Sequence, residues 1–67
     1  MTMPEKVKFF GFYYGVPMRS DSPPETLLRA AGAAERDALY SHKDVAEEML
    51  RAARDMRICA RAALTHQ

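Results

Sequence analysis

One cysteine, no tryptophan and only twelve Leu, Ile, Val and Phe side chains stand in a chain of 67 residues. Each scarcity excludes something. A lone Cys59 rules out an internal disulfide, and His42 and His66 are too few and too far apart to complete a zinc cluster with it. The longest apolar run falls far short of the roughly 20 residues that a bilayer span needs. Pro4, Glu5, Lys6 and Lys8 break any secretory apolar segment near the start. An excess of one charge is missing too: ten basic and nine acidic residues leave +1, whereas nucleic-acid modules usually show a basic face and a pI above about 9. The length leaves no room for a dinucleotide fold, a barrel or a separate substrate domain. Taken together these predict one domain over 1–67, in a reducing cytoplasmic setting, with no membrane association, no metal and no cofactor.

What is present is alanine. Apolar residues make up 48% of the chain, yet eleven of them are alanine. A domain this small buries only about 60% of its unfolded surface. With disulfides and metal unavailable, the remaining aid to stability is a second chain.

All three phenylalanines and two of the three tyrosines fall in residues 6–16, K-V-K-F-F-G-F-Y-Y-G-V. Aromatic and β-branched enrichment predicts a strand there. Gly11 and Gly15 suggest bulges or close approach. Pro17 cannot donate to a ladder, so the strand is expected to stop near Val16. A solitary strand leaves its N–H and C=O groups unpaired, which is costly when buried. The expected partner is the same strand from a second copy, giving a homodimer.

Ser22-Pro23-Pro24-Glu25 has the form of a capping box with proline at the first helical position. It predicts a helix over 23–39 with Leu27, Ala31, Ala34 and Ala38 on its apolar stripe, widened by Leu28 and Leu39. Gly32 in mid-helix costs up to about 1 kcal/mol against alanine; a closely approaching backbone would explain it. Residues 40–44 contain a second S-x-x-D box, Ser41 to Asp44, without a Gly or Pro to force a break. A continuous helix of about 43 residues is rare, so a helical hairpin is the favoured reading. The second helix, 42–64, has the most regular pattern: Val45, Met49, Ala52, Met56, Cys59 and Ala63 form a seam at heptad-like steps, with Ala46, Ala53 and Ala60 alongside. Glu47–Arg51 and Arg51–Asp55 are i,i+4 pairs. Arg54, Arg57 and Arg61 share a face opposite the seam. The predicted fold is therefore α+β, mostly α: an N-terminal strand, paired across a homodimer, followed by an α-helical hairpin.

Chemistry-bearing motifs are lacking. There is no glycine-rich phosphate loop, no H-E-x-x-H, no G-x-S-x-G and no C-x-x-C. Cys59 lies on the apolar seam and reads as a buried, inert thiol. The chain is not expected to be an enzyme. The residues suited to a partner are Tyr13, Tyr14 and Arg19 on or after the strand, and Tyr40 in the helix connection, because Tyr and Arg are enriched at binding hot spots.

Strand, helix, helix over residues 6–64 resembles the ribbon-helix-helix repressors, in which paired N-terminal strands read the major groove. That resemblance implies DNA binding, but Phe10, Phe12 and Tyr14 stand where base-bonding groups are needed. In character the chain also resembles small phage-encoded inhibitors of host proteins, such as quorum-sensing anti-activators and anti-CRISPR proteins. That resemblance implies stoichiometric binding of a host regulatory protein, and it is the preferred expectation; nucleic acid is the alternative partner.

Overall fold

The computed structural model describes residues 7–65. Two short strands, β1 (Phe9–Tyr13) and β2 (Val16–Arg19), form an antiparallel hairpin. Two helices follow, α1 (Pro24–Ala38) and α2 (Lys43–Thr65). The α+β, mostly helical class and the helical hairpin are as the sequence predicts.

The strand is not. The expected single strand over 6–16 is two strands folded back on each other, with Lys6 outside the described residues. Tyr14 and Gly15 both take positive φ, 55° and 75°, and join the paired residues Tyr13 and Val16. Positive φ at both central residues is the signature of a tight hairpin turn whose twist matches that of the strands. Gly15 suits that conformation without strain; Tyr14 does not, and so it disguises the turn. Pro17 lies within β2, opposite Phe12, rather than ending a strand. Pairs in an antiparallel ladder alternate between bonded and non-bonded. The pair closing the turn is a bonded one, so Pro17 falls at a non-bonded position where no N–H is needed. The register slips between Phe9 and Gly11, and Gly11, at φ 114°, absorbs the resulting bulge. Beyond Arg19 the ladder continues through Ser20, which donates its N–H to Lys8 O at 2.9 Å and accepts the Lys8 N–H on Oγ at 3.0 Å. The strand's partner therefore lies in the same chain, and the backbone argument for a second copy at this position lapses.

Neither predicted capping box forms. The N-cap of α1 is Pro23, one residue later than expected, with no side-chain cap. Ser22 instead accepts the Arg19 N–H on its hydroxyl at 2.9 Å and donates its own N–H to Arg19 O at 3.0 Å. With proline at two successive positions, fewer N–H groups at this helix start need a partner. At the other end, Leu39, Tyr40 and Ser41 donate to the carbonyls three residues before them, so α1 tightens and stops without glycine. Ser41 donates its hydroxyl back to Asp37 O at 2.9 Å, which removes it from the start of α2. His42 takes that place, its carbonyl accepting the Ala46 N–H at 2.7 Å.

The core lies where the two helices and the inner face of the hairpin meet. Its buried members are Met18 from β2, Leu27, Ala30, Ala31 and Ala34 from α1, and Ala53, Met56 and Ala60 from α2. Five of these eight are alanine, so the helices approach closely and only Met18, Leu27 and Met56 fill volume. Phe10, Tyr13, Met49, Ala52 and Cys59 pack against this cluster, half-buried. On α1 the predicted stripe holds, but Leu28 and Leu39 do not widen it: they are 40% and 78% exposed. On α2 the predicted seam is turned by part of a residue step toward Ala53 and Ala60. Met49, Ala52, Met56 and Cys59 belong to it, Ala63 is half-buried outside the cluster, and Val45 is 45% exposed. The physical reason is coverage. Phe10 covers the Ala52 side of α2, whereas α1 has already ended where Val45 begins its helix. Gly32 meets no close backbone; a Cβ there would touch nothing within 4 Å.

Candidate functional site

The hairpin has two faces, and the cross-strand pairs assign them. Gly11 and Met18 face the helices; Phe9 and Arg19, and Phe12 and Pro17, face away. Lys8 holds the outer end of β1 down: its ammonium reaches Asp55 Oδ2 at 2.6 Å and lies 5.6 Å from the centre of the Phe10 ring. Phe10 and Tyr13, on the inner side, are half-buried against the core. Phe9 and Phe12 stand on the outer side, 52% and 71% exposed, with ring centres 5.5 Å apart at 75°. Edge-to-face packing at this distance is a favourable aromatic geometry. The two rings thus form a preorganised apolar patch, with Arg19 beside Phe9 and Tyr14 at the turn.

Of the four predicted contact residues, Tyr14, Arg19 and Tyr40 are exposed and Tyr13 is not fully so. Tyr13 faces a hollow between the hairpin turn and α1, close to Asp37 and Met49. Burial, with the Asp37 carboxylate adding to it, pushes its hydroxyl above the ordinary value of 10.0. Tyr13 therefore anchors the hairpin rather than presenting a free ring. Tyr14 and Arg19 lie at opposite ends of the hairpin, on either side of the Phe9–Phe12 patch. Tyr40, 86% exposed, sits apart in the helix connection beside His42 and Val45. The structure therefore groups Tyr14 and Arg19 with Phe9 and Phe12 and leaves Tyr40 outside. Phe9 and Phe12 were not among the residues expected at this face. Strict alternation sets Phe9 and Phe12 on opposite faces of a strand; the bulge at Gly11 brings them to the same one.

The basic face also needs correction. Arg57 does not stand free opposite the seam. Its two guanidinium nitrogens bind both oxygens of Glu35 on α1, Nη2 to Oε1 at 2.6 Å and Nη1 to Oε2. Hydrogen bonding from Arg57 holds the Glu35 carboxyl below its ordinary 4.5 and in turn raises the guanidinium. Arg57 is thus a clamp between the helices, and of the three arginines on that face only Arg54 and Arg61 remain exposed. Asp55 is likewise occupied by Lys8 rather than by Arg51.

Among the described residues there is no group of three or more His, Cys, Asp or Glu arranged to hold a metal ion, and no helix is long and apolar enough to cross a membrane. Cys59 is half-buried against the core. No protein-family model, curated protein or solved structure matches the chain.

Proposed function

We propose that this chain is a non-enzymatic, cytoplasmic binding module that inhibits or modulates a host regulatory protein by stoichiometric contact through the outer face of its β-hairpin. The observation that carries this reading is the exposed Phe9–Phe12 pair. A chain with so few large apolar side chains has every reason to bury its phenylalanines, yet two of three face outward. Scattered exposed apolar residues are ordinary; rings packed edge to face, with an arginine and a tyrosine adjoining, have the composition of an interface anchor. The face is also backed by the helices. Met18 and Tyr13 pack its back against the helices and Lys8 pairs with Asp55 at its outer end. The kind of partner follows from the resemblance to small phage-encoded inhibitors; the chemistry it must offer is an apolar groove able to take two rings.

The test is capture of host proteins on the immobilised chain, followed by titration of the captured protein against variants. Phe12→Ala and Tyr14→Ala should each weaken binding by about thirtyfold, as loss of about 2 kcal/mol requires. Their melting points should stay near that of the parent, because both side chains are exposed. Binding unchanged by these variants but abolished by Arg54→Ala and Arg61→Ala would refute the hairpin as the site and favour a phosphate-bearing partner.

A further inference from the structure

On α2, Glu47, Leu50, Arg54, Ile58 and Arg61 follow one another at steps of 3, 4, 4 and 3. At about 100° per residue they share an arc of about 80° on the helix surface. That arc borders α1 along one edge, where Leu50, Arg54, Ile58 and Arg61 share a shallow hollow with Glu35 and Arg57, and is otherwise uncovered: all five are exposed, Leu50 by 49% and Ile58 by 58%. The two ion pairs among the described residues, Lys8–Asp55 and Arg57–Glu35, leave Glu47, Arg54 and Arg61 out. The order of steps reads the same from either end, with Arg54 at its centre. Charge is divided along the same axis. Residues 43–50 carry one basic and three acidic side chains, whereas residues 51–65 carry four basic and one acidic.

We propose that this face of α2 pairs antiparallel with the same face of a second copy of the chain, about a two-fold axis at Arg54. In that arrangement Leu50 of each chain meets Ile58 of the other, and Glu47 meets Arg61 on both sides. The acidic half of each helix lies on the basic half of its partner. A parallel pair would set like charge on like charge along the whole contact, so the charge division selects the antiparallel sense. The interface is isologous, so every contact occurs twice.

The same geometry limits its strength. A helix of 23 residues is about 34 Å long and offers a strip about 10 Å wide, less than the ~800 Å² per partner of a standard interface. The two Arg54 guanidinium groups also meet at the axis, where like charge opposes association. The pair is therefore weak and reversible, and it leaves the hairpin face free. It does not depend on the proposed host partner, since its test uses the pure chain alone.

Sedimentation equilibrium from about 10 µM to about 1 mM should show a reversible monomer–dimer equilibrium within that range. Ile58→Asp should abolish the dimer. Glu47→Arg and Arg61→Glu should each weaken it about tenfold, and the two combined should bring it back to within about threefold of the parent, because the swap restores both ion pairs. Arg54→Leu should tighten it. All these side chains are exposed, so circular dichroism of each variant should match the parent; if Ile58→Asp fails to fold, the charge swap still decides the matter. A monomer throughout the range, a swap that fails to restore pairing, or a dimer lost in Phe12→Asp but kept in Ile58→Asp would each overturn the proposal. The second outcome would indicate a different occupant for this face, and the third would move the self-contact to the hairpin.

Discussion

Met18→Ala is the most informative single change to the fold. Met18 is 1% exposed and is the one fully buried side chain that the hairpin contributes to the core. Only Leu27 and Met56 among the other buried residues have comparable volume. Truncating a fully buried methionine to alanine removes its transfer free energy and leaves a cavity, together costing about 3 kcal/mol. The cluster around it is mostly alanine, whose side chains have no rotamers with which to fill the space. A domain of this size holds about 3–5 kcal/mol in all, so the variant should stand close to unfolding at 25 °C. At about 4–8 °C per kcal/mol for a chain of this length, its melting point should fall by about 12–24 °C. The assay is thermal melting in a Tyr40→Phe background, followed in parallel by far-ultraviolet dichroism, which reports the helices, and by tyrosine signal, which then reports only Tyr13 and Tyr14 in the hairpin. Both transitions should shift together, since the helical interface is too poor in large side chains to persist without its cover. A dichroism melt that stays within about 3 °C of the parent while the tyrosine transition moves alone would refute this reasoning. It would show that the helical hairpin is stable by itself.

Five further tests address separate parts of the account. Met56→Asp should prevent folding, because it places an unpaired carboxylate among buried apolar groups, whereas Val45→Asp should melt within a few degrees of the parent; equal losses would show the assigned face of α2 to be wrong. Arg57→Asp should lower the melting point measurably more than Arg54→Asp, since it sets a second carboxylate against Glu35 instead of a bidentate cation. The Glu35 carboxyl is depressed in the folded state, so the stability it contributes is present above pH 4.5 and lost as pH falls through the lower folded value; denaturant titrations across that range should show this acid loss reduced in Glu35→Gln. Tyr13 has the opposite sign: its folded value is raised, so its contribution is complete below pH 10.0 and lost as pH rises beyond, a loss that Tyr13→Phe should remove in alkaline melts. Gly32→Ala should raise stability by about 0.5–1 kcal/mol, because helix propensity improves and the new methyl group meets nothing within 4 Å.

The patterned parts of the chain were legible in the sequence. Prolines at 23 and 24 and the 3.6-residue recurrence of Leu27, Ala31, Ala34 and Ala38 define α1 to within one residue at each end. The same recurrence from Met49 to Cys59 defines α2. Helical periodicity is local: it records which side of a cylinder is apolar, whatever lies opposite. For the same reason the class of fold and the alanine character of the interface follow from sequence alone.

Three matters required the tertiary structure, each because it depends on what lies across a contact. The aromatic segment at 6–16 has apolar residues on both faces, so alternation gives no inside and outside; the turn at Tyr14–Gly15 divides it, and only then do Phe10 and Met18 become core while Phe9 and Phe12 become surface. The exact facing of α2 depends on where Phe10 and α1 cover it, which is why Val45 is exposed although it keeps the heptad step. The role of Arg57 depends on Glu35, twenty-two residues away and on another helix. Local sequence determined the helices of this protein; the division of its aromatic segment, and which residues remained free to meet another molecule, were decided by how the hairpin and the two helices cover one another.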